Sequence, residues 1–451
     1  MRRALGVAAT VGVLLALPAP ALAHALGGTF RSPLPLAAYL AGAAAAVALS
    51  FWFAFSRDVA VPPAAAGRVR VVPAWVRRTL RAIGLVGWAW PLVQTLVVGG
   101  SSEADVSSLF LWVYGWVGLA IVSAVIGPAW SWIDPFSTLH GLLAGLLRRL
   151  GLEGREPAEW PERLGRWPAV IGFAAFVWLE LVVTGGTGGR NLGAALLAYT
   201  MVTLAGMAQF GREAWRAHGE VFSVWFGLLG RLAPWRLADR PESGRVVRQP
   251  FASGLVHAAW TAPEVALVAL ATGAVMFDGL SQTQPYFGLF GLPGFGGATL
   301  ILAGFLVLLV GGVLLVSRVG GTAAVGAGLV SIALGYILAH YLTFLLFDGQ
   351  RIVIALSDPF QQGWDLLGSA FYQPGIDWLP GALLWGIQLA AVVTGHMVGA
   401  WAGHAAAVAG AGARVDRRAL VRRQIPLALL MVTLTVVTLW SLGQAVVETA
   451  A

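Results

Sequence analysis

Cysteine is absent from all 451 residues, and so is lysine. The first absence removes disulfides, thiolate metal sites and cysteine nucleophiles. The second removes Schiff-base chemistry and leaves arginine to supply all 29 basic side chains other than histidine. Charge of either sign is scarce. Only 11% of the residues are Asp, Glu, Lys or Arg, where soluble domains carry about 25%. Familiar catalytic signatures are missing too. There is no Gly-x-Ser-x-Gly elbow and no His-Glu-x-x-His, so neither a serine nucleophile nor a helical zinc pair is announced by local spacing. The run Gly185-Gly186-Thr187-Gly188-Gly189 falls in a short loop between apolar stretches and reads as a turn, not a phosphate cradle.

Apolar residues fill the space left by these absences. The chain is 58% hydrophobic with a mean hydropathy of +0.77, so the expected fold class is all-α, a polytopic transmembrane helix bundle. Met1-Arg2-Arg3, the apolar stretch 4–20 and Ala21-Leu22-Ala23 match the three regions of a secretory signal peptide. Cleavage after Ala23 would leave His24 first, with its α-amino group and imidazole able to chelate a metal together. Ten further stretches are long and apolar enough to span a bilayer: 34–56, 82–99, 107–127, 167–184, 192–210, 255–277, 296–317, 321–347, 379–402 and 424–446.

The arginines alternate between loops. Six fall in 57–81, five in 128–166, seven in 211–254 and five in 403–423, and Arg318 sits in the short seventh-to-eighth connection. The opposite loops hold only Arg31, Arg190 and Arg351, and they carry Glu103, Asp105, Asp278, Asp348, Asp358, Asp365 and Asp377. The positive-inside rule then places both mature termini outside, the orientation a cleaved signal peptide also demands. The net charge of +8 is thereby a topological feature. It points to the lipid bilayer as partner and not to nucleic acid. Two inner stretches, 141–150 and 212–229, carry Trp215, Phe222 and Trp225 among their arginines and read as amphipathic helices at the headgroups. The outer loop 348–378 reads as a re-entrant or interfacial segment.

The domain reading is a signal peptide at 1–23, a first membrane half at 24–254 and a second at 255–451. Asp-Pro-Phe occurs at Asp134 and again at Asp358, after the third and the eighth spans. Five spans per half would make the halves face opposite ways, an inverted five-plus-five repeat of the kind secondary transporters use.

Ionisable residues inside spans are costly, so each is a functional candidate. Counting 1.5 Å per residue from the span ends places Glu180 and His340 in the outer third, Glu264 near mid-membrane beside a Pro263 kink, and His396 in the inner third. His257 and His404 fall at the inner surface. The outer layer, joined by Asp278 and Asp358, contains the candidate catalytic residues His340, Asp278 and Glu180. His24, His340 and His396 are the candidate metal ligands. Imidazole nitrogens of this kind suit copper or zinc, so a divalent metal is the cofactor considered. Tyr336, His340 and Thr343 share one helical stripe, with Tyr341 adjacent.

Several segments resemble a bacterial family of polytopic proteins commonly identified as fenitrothion hydrolases. These are Ala339-His340-Tyr341, Gly349-Gln350, Ser357-Asp358-Pro359, Gly363-Trp364 and Leu367-Gly368. Phe277-Asp278-Gly279-Leu280-Ser281, Gly395-His396, Ala402-Gly403-His404 and the opening His24-Ala25-Leu26-Gly27-Gly28 with Leu34-Pro35-Leu36 belong to the same set. Members often have His-Gly where this chain has His24-Ala25. The resemblance implies a bacterial cytoplasmic membrane and hydrolysis of an apolar organophosphate triester entering from the bilayer, with metal-bound water as the nucleophile. Two other readings stand beside it: a secondary transporter for a metal ion or small metabolite, and a haem- or copper-binding membrane subunit.

Overall fold

The computed structural model describes residues 30–32, 34–56, 61–64, 67–98, 105–152, 156–375, 378–411 and 416–449. The expected signal segment, 1–23, and His24 lie outside them. The bundle is built from ten helices: α1 (Leu36–Ser56), α2 (Ala74–Val97), α3 (Val106–Val125), α4 (Trp167–Leu181), α5 (Gly189–Phe210), α6 (Ala262–Ser281), α7 (Phe295–Gly320), α8 (Thr322–Leu346), α9 (Gly381–Ala411) and α10 (Arg417–Val446). Nine of the described helices are long and apolar enough to cross a membrane. The tenth, α4, is apolar but only 15 residues long. The protein is an all-α, multi-pass membrane bundle.

Proline and acidic caps set many of the boundaries. Pro73 caps α2, and Pro168 and Pro263 lie in the first turns of α4 and α6, where a missing amide hydrogen costs nothing. Asp105 caps α3 by accepting from the Ser107 amide. The turn from α7 to α8 is made at Gly321 (φ 93°), a conformation that costs a side-chain-bearing residue about 1 kcal/mol or more.

Hydrogen bonds between loops sort the two ends. At one end the arginine-rich segments meet. Arg77 donates to the Glu242 carbonyl, Arg166 to Ala217, Arg417 to Phe55, and Arg216 pairs with Asp134. A three-stranded antiparallel sheet joins them, with β4 (Arg245–Arg248) between β2 (Val69–Val71) and β3 (Trp235–Leu237). At the other end Trp90 and Gln94 donate to the Pro359 carbonyl, Tyr114 to Gly349 and Trp112 to Thr187. Two terminal strands, Phe30–Ser32 and Val447–Thr449, pair in parallel.

The α8–α9 contact is the most extensive in the bundle. A Cβ on Gly335 would stand 2.7 Å from the Ala391 carbonyl oxygen, one on Gly395 2.7 Å from Ser331, and one on Gly403 2.8 Å from Ala324. Small residues let two backbones touch where lipid gives no hydrophobic drive for helix association.

Two expectations about the arginine-rich end are corrected. Residues 212–229 do not lie flat at the headgroups. They form Arg212–His218 and Val221–Leu229, and the second is buried, with Trp225 stacked on Trp116 at 5.7 Å. Its nine-residue run is apolar on every side, so burial wins. The helix Pro135–Arg149 does keep the expected exposed stripe of Leu142, Leu143, Leu146 and Leu147. The sixth helix starts at Ala262, not 255. Residues Ser253–Val256 make a separate turn and His257 is exposed, bonded to the Pro62 carbonyl at 2.7 Å.

Candidate functional site

Three helix ends converge at the arginine-poor end. Glu180 is next to last in α4, Asp278 lies one turn from the end of α6, and His340 lies about two turns from the end of α8. His340 Nε2 is 2.9 Å from Asp278 Oδ2. The Tyr341 hydroxyl donates to the same oxygen at 2.9 Å and stands 3.5 Å from Glu180 Oε1. The His340 and Asp278 side chains are 21% and 14% exposed, so they are half-sheltered and reachable. His340 Nδ1 has no hydrogen-bond partner among the described residues. A carboxylate on Nε2 fixes the ring orientation and tautomer, and leaves Nδ1 as the nitrogen that can take a proton.

The site has an aromatic wall that no sequence pattern marks. Residues Leu109–Gly118 of α3 form a π-helix, a wider winding that is rare and frequent at functional sites. It sets the Trp116 indole beside the Tyr341 hydroxyl, backed by Phe173 at 5.5 Å and by Trp225. Ring periodicity alone would have counted Trp116 among ordinary core residues. Gly279 completes the floor. A Cβ there would lie 3.6 Å from His340 Cε1 and 3.1 Å from Ser441 Oγ.

Other residues singled out in the sequence lie elsewhere. Tyr336 is fully buried one turn deeper on α8, its hydroxyl facing Thr438 without a well-formed hydrogen bond. Its ring lies 5.6 Å from His396. His396 is fully buried near the middle of α9, with Nδ1 on the Val392 carbonyl at 2.8 Å and Nε2 unpartnered. The helix α9 runs on past the expected span to Ala411. His404 is therefore not at a wet helix end. It is buried, bonded to Gln424 Oε1 at 3.0 Å and edge-on to Phe55. Asp358 closes a turn by accepting from the Gln362 and Gly363 amides at 2.7 and 2.9 Å. It takes no part in the cluster.

Glu264 needs the largest correction. It is not beside a mid-membrane kink, because Pro263 lies in the first turn of α6, where no hydrogen bond is broken. Its Oε2 completes a capping box with Thr261 (2.8 Å to the amide), and its Oε1 accepts from Arg166 at 2.8 Å and from Arg231. This is a buried structural ion pair at the arginine-rich end.

Among the described residues no group of three or more His, Asp or Glu side chains is arranged to hold a metal ion. A catalytic zinc needs three protein ligands. The described members of the expected ligand set, His340 and His396, face different partners, and the third, His24, lies outside the described residues. The described residues do not fit a copper or zinc centre. What they do make is a histidine–carboxylate pair with a phenol and a second carboxylate, a set suited to moving protons. No protein-family model matches the chain, and neither a curated protein nor a solved structure does.

Proposed function

We propose that the Glu180–Asp278–His340–Tyr341 cluster is an acid–base centre and that the chain is a membrane-embedded hydrolase of apolar esters. The carrying observation is the 2.9 Å contact between His340 Nε2 and Asp278 Oδ2, which orients the imidazole. The resemblance to the fenitrothion hydrolases supports the substrate class, an apolar phosphotriester that partitions into the bilayer and approaches the cluster laterally. Water held by His340 Nδ1 would add through oxygen to phosphorus while giving its proton to the imidazole. The bond from phosphorus to the leaving oxygen would break, and the imidazolium would return the proton to that oxygen. Tyr341 holds Asp278 in place, and Trp116 excludes bulk water from one side. General base catalysis of this kind contributes about 10²–10⁴-fold. The arginine pattern supports a cytoplasmic membrane location with the cluster facing outward.

Proton-coupled transport is the second reading. It is favoured by the Tyr336 hydroxyl and His396 Nε2, two unpartnered polar atoms one turn deeper than His340. One pair of measurements separates the two. Purified protein is assayed for release of the aryl alcohol from an aryl phosphotriester, and proteoliposomes are assayed for proton flux with a trapped pH dye. Turnover abolished by His340→Gln supports the hydrolase. Proton flux abolished by His396→Gln, with no turnover, replaces it with the transporter.

A further inference from the structure

At the arginine-rich end, far from the acid–base cluster, lies a cavity of about 440 Å³. That is within the roughly 300–1,000 Å³ of small-molecule sites. Its walls come from α3, the Val221–Leu229 helix, β3 and the Ser253–Val256 turn. Two residues of its lining, Arg231 and Ser123, each carry a buried polar atom with no partner, Nη1 and Oγ, and Ser123 is only 1% exposed. Buried polar atoms are nearly always paired, so an orphaned donor calls for a partner. Two orphans on residues of one cavity wall call for the same one.

The chemistry of that partner follows from the walls. Arg231 is held rigidly. Its other terminal nitrogen donates to Glu264, and its guanidinium lies 4.3 Å over the Trp260 ring. Arg236 and His257 also line the cavity, and no acidic side chain does so among the described residues. Glu220 lies behind the wall, but its oxygens are already engaged by Trp130, Tyr199 and two amides. A planar guanidinium with a free edge matches an oxyanion. Burial, the largest influence on the Arg231 guanidinium, lowers its pKa in spite of Glu264, and an added anion would oppose that. Trp130, Phe226 and Trp235 line the remaining walls and suit a flat apolar body.

We infer that this cavity binds a phosphate-bearing ligand, with the phosphate on Arg231 Nη1 and Ser123 Oγ and the rest of the molecule against the tryptophans. The source is either a soluble organic phosphate or the headgroup of an anionic lipid. Gly227 offers a clean probe. It lines the cavity, and a Cβ there would meet nothing within 4 Å, so a larger side chain fills the space without displacing protein. Leucine also suits a helix better than glycine.

The test uses the full chain. In detergent, phenyl phosphate and inorganic phosphate are titrated calorimetrically. In nanodiscs, the thermal midpoint is compared between phosphatidylcholine alone and phosphatidylcholine with phosphatidylglycerol. The expected result is phenyl phosphate binding at least tenfold tighter than inorganic phosphate, reduced more than tenfold by Gly227→Leu. Should Gly227→Leu fail to fold, Ser123→Ala is the second variant. Its hydroxyl has no intramolecular partner, so folding should be unaffected while affinity falls at least threefold. A midpoint raised only by phosphatidylglycerol, and no longer raised in Gly227→Leu or Ser123→Ala, assigns the site to a lipid headgroup. Absence of any stabilisation or binding, or effects indifferent to both variants, overturns the inference. Indifferent effects would come from loosely attracted anions on surface arginines.

Discussion

Asp278 and Glu264 sit at opposite ends of α6, about 21 Å apart along its axis, and show what one residue type does in two settings. Glu264 is fully buried and saturated: a capping box on one oxygen, two guanidinium groups on the other. It cannot move without dismantling three elements. Asp278 faces a histidine and a tyrosine and is partly reachable from outside. A carboxylate locked by arginines is structural. A carboxylate that orients an imidazole is poised for chemistry, because an imidazole has one nitrogen that donates and one that accepts.

The comparison is most open to failure at Glu264. Glu264→Ala should destabilise the protein by up to about 3–5 kcal/mol, since it leaves two partly buried cations facing each other without their shared anion. Thermal or denaturant unfolding in detergent would register this as loss of folded protein. A Glu264→Ala variant with wild-type stability would erase the distinction between the two ends of α6. Next is His404→Ala, expected to cost about 1–3 kcal/mol by stranding the Gln424 oxygen it bonds. A cost near zero, measured the same way, would return His404 to the wet helix end that the sequence implied.

At the opposite end the order of effects reverses. His340→Gln should change stability by about 1 kcal/mol or less yet remove turnover, because glutamine keeps a hydrogen bond to Asp278 but cannot accept a proton near neutrality. Steady-state rates on an aryl phosphotriester, alongside a melting curve, decide the point. Full activity in this variant would strip the cluster of its role. The smallest effect concerns the loop above the cluster. The Ser357 hydroxyl and then the Ala370 amide hold the Asp365 carboxyl below its usual range. A lowered folded-state pKa gives stability that is present above the unfolded value and lost as pH falls through the folded one. Hydrogen exchange should show the Leu367 and Ala370 amides protected near pH 6 and losing protection below about pH 4. Protection indifferent to pH would mean that Asp365 does not hold the loop.

Local pattern was enough for what depends on one helix at a time. Apolar length gave ten stretches and the bundle gives ten helices, because backbone polar groups in lipid must be satisfied within each segment. The arginine alternation likewise anticipated which loops gather at one end. That Glu180 and His340 lie at one level of the bundle was legible, since depth follows from position along a helix. Depth says nothing about azimuth, however. That His340, Asp278 and Tyr341 share one oxygen, while Asp358 at the same end closes a turn, depends on how α4, α6 and α8 are rotated against each other. The Glu264 error had a related cause: an apolar stretch does not reveal that a helix starts seven residues late, and the arginines that bind Glu264 come from distant loops. Burial of Val221–Leu229, the π-helical Trp116 and the cavity beside Arg231 were also tertiary decisions. Sequence determined that the chain is a bundle of apolar helices and which of its loops gather at one end. Rotation and close packing between helices alone decided which side chains meet, because those contacts join residues tens to hundreds of positions apart and leave no periodicity behind.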